Sequence, residues 1–129
     1  MLAAYGSPAV GLGPVFYDQG VAAGIDPAYL LAFFVVESQA GTRGVARVTR
    51  SIGNIRCTPG YACMEGYRAY ASWAAGSADW YTLIRTLYLD TWNLRTPAAI
   101  LPRYAPAGDG NDPVAYAARV TELVDGWVR

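Results

Sequence analysis

The stretch from Asp26 to Gly41, DPAYLLAFFVVESQAG, constrains the fold more than any other part of the chain. Asp26 before Pro27 is a helix start, because Asp accepts a bond from a free N–H of the first turn and Pro at the first helical position gives up a donor that had no partner. Gly41 is the expected stop. Every residue from Ala28 to Val36 is apolar or aromatic, so the helix has no polar stripe and must be buried on most of its circumference. Glu37 then falls inside it. One turn back stand Phe33 and Phe34, and the helix C-terminus disfavours negative charge nearby. Both effects favour the neutral acid, the state a general acid for glycoside cleavage needs. The plainer alternative is a solvated carboxylate or half of an ion pair, for which Arg43 and Arg47 are close enough in sequence.

At 129 residues the chain fits a single domain over 1–129. It has ten Arg, no Lys and no His, balanced by ten acidic residues, and no basic stretch suggests a nucleic-acid footprint. Without His, a Ser-His-Asp or Cys-His catalytic unit is excluded, as is a His-ligated zinc, and two Cys are too few for a thiolate zinc site. Acid–base chemistry must therefore fall to carboxylates, Tyr or a thiol. No metal constellation appears, so no cofactor is expected. The longest apolar run is about half of the roughly 20 residues a membrane span needs. The first residues, MLAAYGSPAV, lack the basic flank and apolar core of a secretion signal, which leaves a longer precursor or another export route. Ten Tyr and four Trp suit sugar-stacking clefts as well as ordinary cores.

A capping residue followed by Pro recurs at Ser7-Pro8, Asp26-Pro27, Thr96-Pro97 and Asp112-Pro113. The first predicts a helix from Ala9 to Ala23, with Val10, Leu12, Val15, Phe16 and Val21 as its apolar face and Gly24 as its stop. A third helix, after the central one, is expected from Ser77 with Trp80, Leu83, Ile84, Leu87 and Tyr88 recurring at three and four residues. Thr96 opens a short helix through Leu101, and a last one runs from Pro113 to Val128 with Tyr116, Val120, Leu123, Val124 and Trp127 on one side. The chain is thus mainly α, with about five helices. The exception, Gly41 to Trp73, predicts a small irregular β-hairpin lobe around a Pro59-Gly60 turn. Cys57 and Cys63 flank that turn at a spacing a disulfide can bridge; a pair of reduced thiols is the alternative.

The segments GIDPAYLLAFFVVESQAGT, SIGNIRCTPG, YRAYASW and TPAAILPRYAPAGDGNDPVAYAARV, in that order, resemble the lysozyme-like superfamily. Within it they are most similar to the glucosaminidase and soluble lytic transglycosylase-like domains of bacterial autolysins and phage lysins. The resemblance runs from about Phe16 to Trp127. It implies a helical body and a smaller β-containing lobe with a cleft between them, a lysozyme-like α+β arrangement, and cleavage of β-1,4 bonds in peptidoglycan glycan strands. The family's catalytic Glu maps onto Glu37 and its accompanying Ser onto Ser38, as a substrate-binding hydroxyl. Asn54 matches a lobe position beside the cleft, and Tyr104 and Tyr116 match late Tyr residues that approach the acid, with core packing as the alternative for each Tyr. Relatives often carry a bulky residue shortly after Glu-Ser, where Gln39 and Ala40 stand here. Glu65, the only acid in the lobe, is the candidate second carboxylate, or an exposed charge answering Arg68. The resemblance further implies a monomer at the cell wall or outside the cell. A lytic transglycosylase and a silent wall-binding module of the same fold are the alternatives, with a generic helical interaction domain ranked last.

Overall fold

The computed structural model describes residues 1–127, so Val128, the expected end of the last helix, lies outside the described residues. Among the described residues six α-helices and one two-stranded antiparallel sheet form the frame: α1 (Gly13–Ala23), α2 (Pro27–Ser38), α3 (Ala46–Thr49), β1 (Cys63–Met64), β2 (Tyr67–Arg68), α4 (Trp73–Leu83), α5 (Pro97–Tyr104) and α6 (Pro113–Trp127). The mainly α reading holds. No helix among the described residues is long and apolar enough to cross a membrane.

The central helix forms as its ends dictate. Asp26 Oδ1 accepts from the Ala28 N–H at 2.9 Å, and no residue of α2 is exposed. Its stop is not Gly41. The helix closes at Ser38, and Gln39 and Ala40 both take left-handed backbone before Gly41 does. Ser38 makes this turn possible: its hydroxyl accepts from the Gly41 N–H at 2.9 Å and donates to the Phe34 carbonyl at 3.3 Å. Gly41 serves packing instead, since a Cβ there would stand 2.8 Å from the Trp73 ring.

Two of the other openers behave as expected. Thr96 Oγ1 accepts from the Ala99 N–H at 3.2 Å and Asp112 Oδ1 from the Ala115 N–H at 3.0 Å, opening α5 and α6. Ser7 does accept from Ala9 N–H, at 3.0 Å, but opens only a turn. Gly11 takes φ +92°, which breaks the helical path, and the helix restarts at Gly13 with Pro14 in its first turn. Of the expected apolar face Phe16 is buried and Leu12 and Val15 are half-buried, whereas Val10 and Val21 are exposed and Gly20 joins Phe16 in the contact. The helix expected from Ser77 begins four residues earlier: Ser72 caps it, accepting from Ala75 N–H at 3.1 Å. Ser77 lies inside it, fully buried, bonded to Gln19 and to the Ala74 carbonyl. From Ile84 to Thr91 the chain continues as a π-helix.

The lobe spans Gly41 to Ser72 and carries α3, an added turn that raises the helix count from five to six. Cys63 pairs with Arg68 and Met64 with Tyr67. The two-residue turn that reverses this hairpin is Glu65-Gly66, with φ +52° and +83°, the left-handed pair such tight hairpins require. Pro59-Gly60 forms a separate turn, closed by Tyr61 N–H to the Thr58 carbonyl at 3.3 Å, inside a loop joined by the Cys57–Cys63 disulfide. The bridged pair replaces the reduced alternative.

The lobe is braced internally at one place and bolted to the body at two. Tyr70 N–H donates to the Thr49 carbonyl at 2.8 Å within the lobe; Arg68 and Tyr70 both reach Asp79 of α4; and Gly76 of α4 lies against the Arg50 carbonyl, where a Cβ would come within 2.1 Å. Arg68 thus answers Asp79 at 2.9 Å, not Glu65.

Candidate active site

Glu37 occupies the last turn of α2, half-buried. Phe33, one turn earlier, packs on Trp80, Tyr104 and Tyr116 with ring centres 5.1, 5.0 and 5.4 Å apart. The aromatic cluster that reaches Glu37 through Tyr116 is thus built on Phe33, whereas Phe34, the other expected wall, packs on Phe16 and Trp73. Both carboxylate oxygens are engaged: Tyr116 Oη donates to Oε2 at 2.8 Å and Asn54 Nδ2 to Oε1 at 3.2 Å. Among the described residues no Arg comes within ion-pair distance of Glu37, so the pairing with Arg43 or Arg47 does not form. Burial raises the acid above its ordinary value, and the two hydrogen bonds offset part of that rise by favouring the charged form. The geometry thus holds a carboxyl partway toward neutrality.

Three elements deliver the partners. Tyr116 comes from the first turn of α6, which packs on α2 and α5 and buries Ala117, Val120, Leu123 and Val124. Burial, and then the charge of Glu37, keep its phenol protonated and so a donor. Asn54 comes from the lobe in left-handed backbone, φ +48°, a conformation Asn tolerates better than most residues. Tyr104 of α5 makes no hydrogen bond to Glu37; its hydroxyl donates to the Gly53 carbonyl at 2.8 Å and so holds the peptide that presents Asn54.

A groove of about 390 Å³ opens on Glu37 between the lobe, from Gly53 to Arg68, and the body, from Leu83 to Asn111. Its placement matches the expected cleft. The sequence-derived residues divide across it. Glu37, Asn54 and Tyr104 line it, Tyr116 reaches it through the carboxylate, and the Cys57–Cys63 bridge braces the loop that contributes Thr58. Ser38 is 3% exposed and its hydroxyl is committed to the α2 stop, so it supports the acid's backbone rather than facing the groove. Glu65 sits exposed at the hairpin tip and does not line the groove. The carboxylate that does is Asp109, in a short 3₁₀ turn after α5, 3.7 Å from Arg56. Sequence reasoning missed Asp109 because its signal, a lone Asp in a Gly-rich loop, is that of any turn. It also missed Arg56 and Arg103, both groove-lining.

Tyr116→Phe tests the electrostatics directly. Removing a donor that favours the carboxylate raises Glu37 further, so any activity that needs the protonated acid persists to higher pH in the variant. The alkaline limb of the pH–rate profile is the measurement, and a limb displaced to lower pH would contradict the assigned bond.

No group of three or more His, Cys, Asp or Glu among the described residues could hold a metal ion. The site is a half-buried carboxyl opening on a groove whose walls carry Tyr67, Tyr88 and Tyr104 together with Arg56, Arg68 and Arg103. Comparison with protein-family models, curated proteins and solved structures finds no match for the chain, so the groove itself carries the functional argument.

Proposed function

We propose that the chain cleaves β-1,4 bonds in the glycan strands of peptidoglycan, as a lysozyme-like domain with Glu37 as general acid. The observation that carries this reading is Glu37 itself: a carboxyl raised by burial, unpaired with any described cation, opening on a groove between lobe and body. Its proton passes to the bridging oxygen as the C1–O bond breaks and oxocarbenium character develops at C1.

The second step follows from which carboxylates face the groove. Glu65 is off it, and Asp109 is turned toward Arg56. The substrate's own acetamido carbonyl oxygen then attacks C1, and the resulting ring is opened either by water or by the sugar's own 6-hydroxyl. Glu37, now a carboxylate, accepts the proton released in that second attack. The first outcome is hydrolysis and the second is the internal cyclisation of a lytic transglycosylase.

Incubation with purified cell walls tests both. The expected results are a fall in turbidity and soluble glycan fragments, whose terminal mass in the transglycosylase case is lighter by one water. Glycan binding with no fragments would leave a wall-binding module, and no binding would remove the peptidoglycan reading.

A further inference from the structure

Three arginines line the groove, and they are not equivalent. Arg68 has its charge answered: it donates to Asp79 and to Thr58 Oγ1, each at 2.9 Å, with its guanidinium stacked on the Tyr61 ring and its buried Nε left without a partner. Arg56 has Asp109 at 3.7 Å. Arg103 has no carboxylate within ion-pair distance among the described residues. It is nevertheless held in place, since its guanidinium lies 4.1 Å over the Trp92 ring, and Trp92 is braced edge-on by Tyr88 at 5.2 Å. Stacking occupies the faces of the guanidinium and leaves its in-plane N–H donors free for a planar, two-oxygen acceptor. A cation fixed before binding loses less freedom on contact than a mobile one. The positive charge of the groove that no acid answers is therefore concentrated at this one preorganised site.

Arg103 also stands at a fixed offset from the acid. The next residue, Tyr104, is bonded to Gly53, and the residue after Gly53, Asn54, is bonded to Glu37. We propose that Arg103 binds a carboxylate carried by alternate sugars of the strand, and thereby sets which of the two alternating glycosidic bonds meets Glu37. The proposal rests on the peptidoglycan reading above. A strand in which every second sugar bears an acidic side arm cannot slide by one sugar without moving that arm off Arg103, so the contact selects register as well as substrate.

The test compares wild type with Arg103→Gln on three glycans: strands with peptide stems, strands stripped of peptide so that the ether-linked carboxylate is free, and neutral β-1,4 N-acetylglucosamine oligomers. Binding is read by calorimetry and chain ends by mass spectrometry. Wild type is expected to leave one kind of chain end. Arg103→Gln is expected to lower the preference for carboxylated over neutral glycan about tenfold, and to leave both kinds of end. Arg103→Lys, which keeps the charge without the stacked plane, falls between. A loss confined to stem-bearing strands assigns the carboxylate to the peptide, and a loss that persists on stripped strands assigns it to the sugar side arm. Equal weakening on all three glycans, or a single chain end retained in Arg103→Gln, overturns the proposal. The binding arm needs no turnover: wild type that cleaves nothing yet prefers carboxylated glycan through Arg103 refutes cleavage alone, and wild type without that preference refutes the register role.

Discussion

Glu37→Gln lowers the rate of glycan release at least about a hundredfold, and up to about 10⁴-fold, because the amide cannot deliver a proton to the leaving oxygen. The substitution leaves the fold in place. Gln keeps the volume and still accepts from Tyr116; on the other side its new N–H₂ meets the Asn54 amide, whose Oδ1 is buried and without a partner in the native site. A half-turn of the Asn54 amide presents that oxygen to the new donor. The variant also loses a pH liability. Glu37 is raised in the folded chain above its reference value of 4.5, so its contribution to stability is fully present below that pH and is lost as pH rises through the raised value. Gln does not titrate. Denaturant midpoints should therefore converge for the two proteins at about pH 4 and favour Glu37→Gln at pH 7. Full activity in the variant would remove Glu37 from the chemistry, and a variant unstable at both pH values would show that the carboxyl is structural.

What the sequence disclosed about this site was the part written locally. The apolar run closed by Glu37 specifies a buried helix with an acid at its end, because burial and periodicity act within a dozen residues. Caps at Asp26, Thr96 and Asp112 are equally local, one side chain reaching a donor two or three residues on. The failures have a common cause. Ser7-Pro8 carries the same signature as the other openers, yet Gly11 in left-handed backbone overrides it. Glu65-Gly66 is not a usual tight-turn pair, so the sequence points to the more conspicuous Pro59-Gly60 for the hairpin turn. Only the resemblance points Ser38 at substrate, and its hydroxyl is taken up by the turn that ends α2. Asp109 and Arg103 lie far in sequence from Glu37 and share its groove only once α5 is tied to the lobe by Tyr104 and Gly53, a long-range event that no window of residues encodes.

Gly53→Ala is expected to disturb the placement of the site most directly. A Cβ at this position would stand 1.9 Å from the Tyr104 hydroxyl and 3.0 Å from the Trp80 ring, although Gly53 itself needs no unusual φ. The Tyr104 hydroxyl must then leave the Gly53 carbonyl, and the peptide that presents Asn54 to Glu37 moves with it. Overpacking of this kind, added to a lost buried hydrogen bond, costs about 3 kcal/mol and lowers the melting temperature by about 10 °C. Tyr104→Phe alone gives up the hydroxyl and costs about 1 kcal/mol. The two changes are not additive, because removing the hydroxyl removes the atom the new methyl strikes. The double variant should accordingly be more stable than Gly53→Ala alone, while the Trp80 wall keeps the rescue partial. Its activity should stay low, since neither single change restores the link that holds Asn54 beside the acid. Strict additivity in the cycle would mean that Tyr104 and Gly53 do not meet in solution, and would detach α5 from the placement of the site.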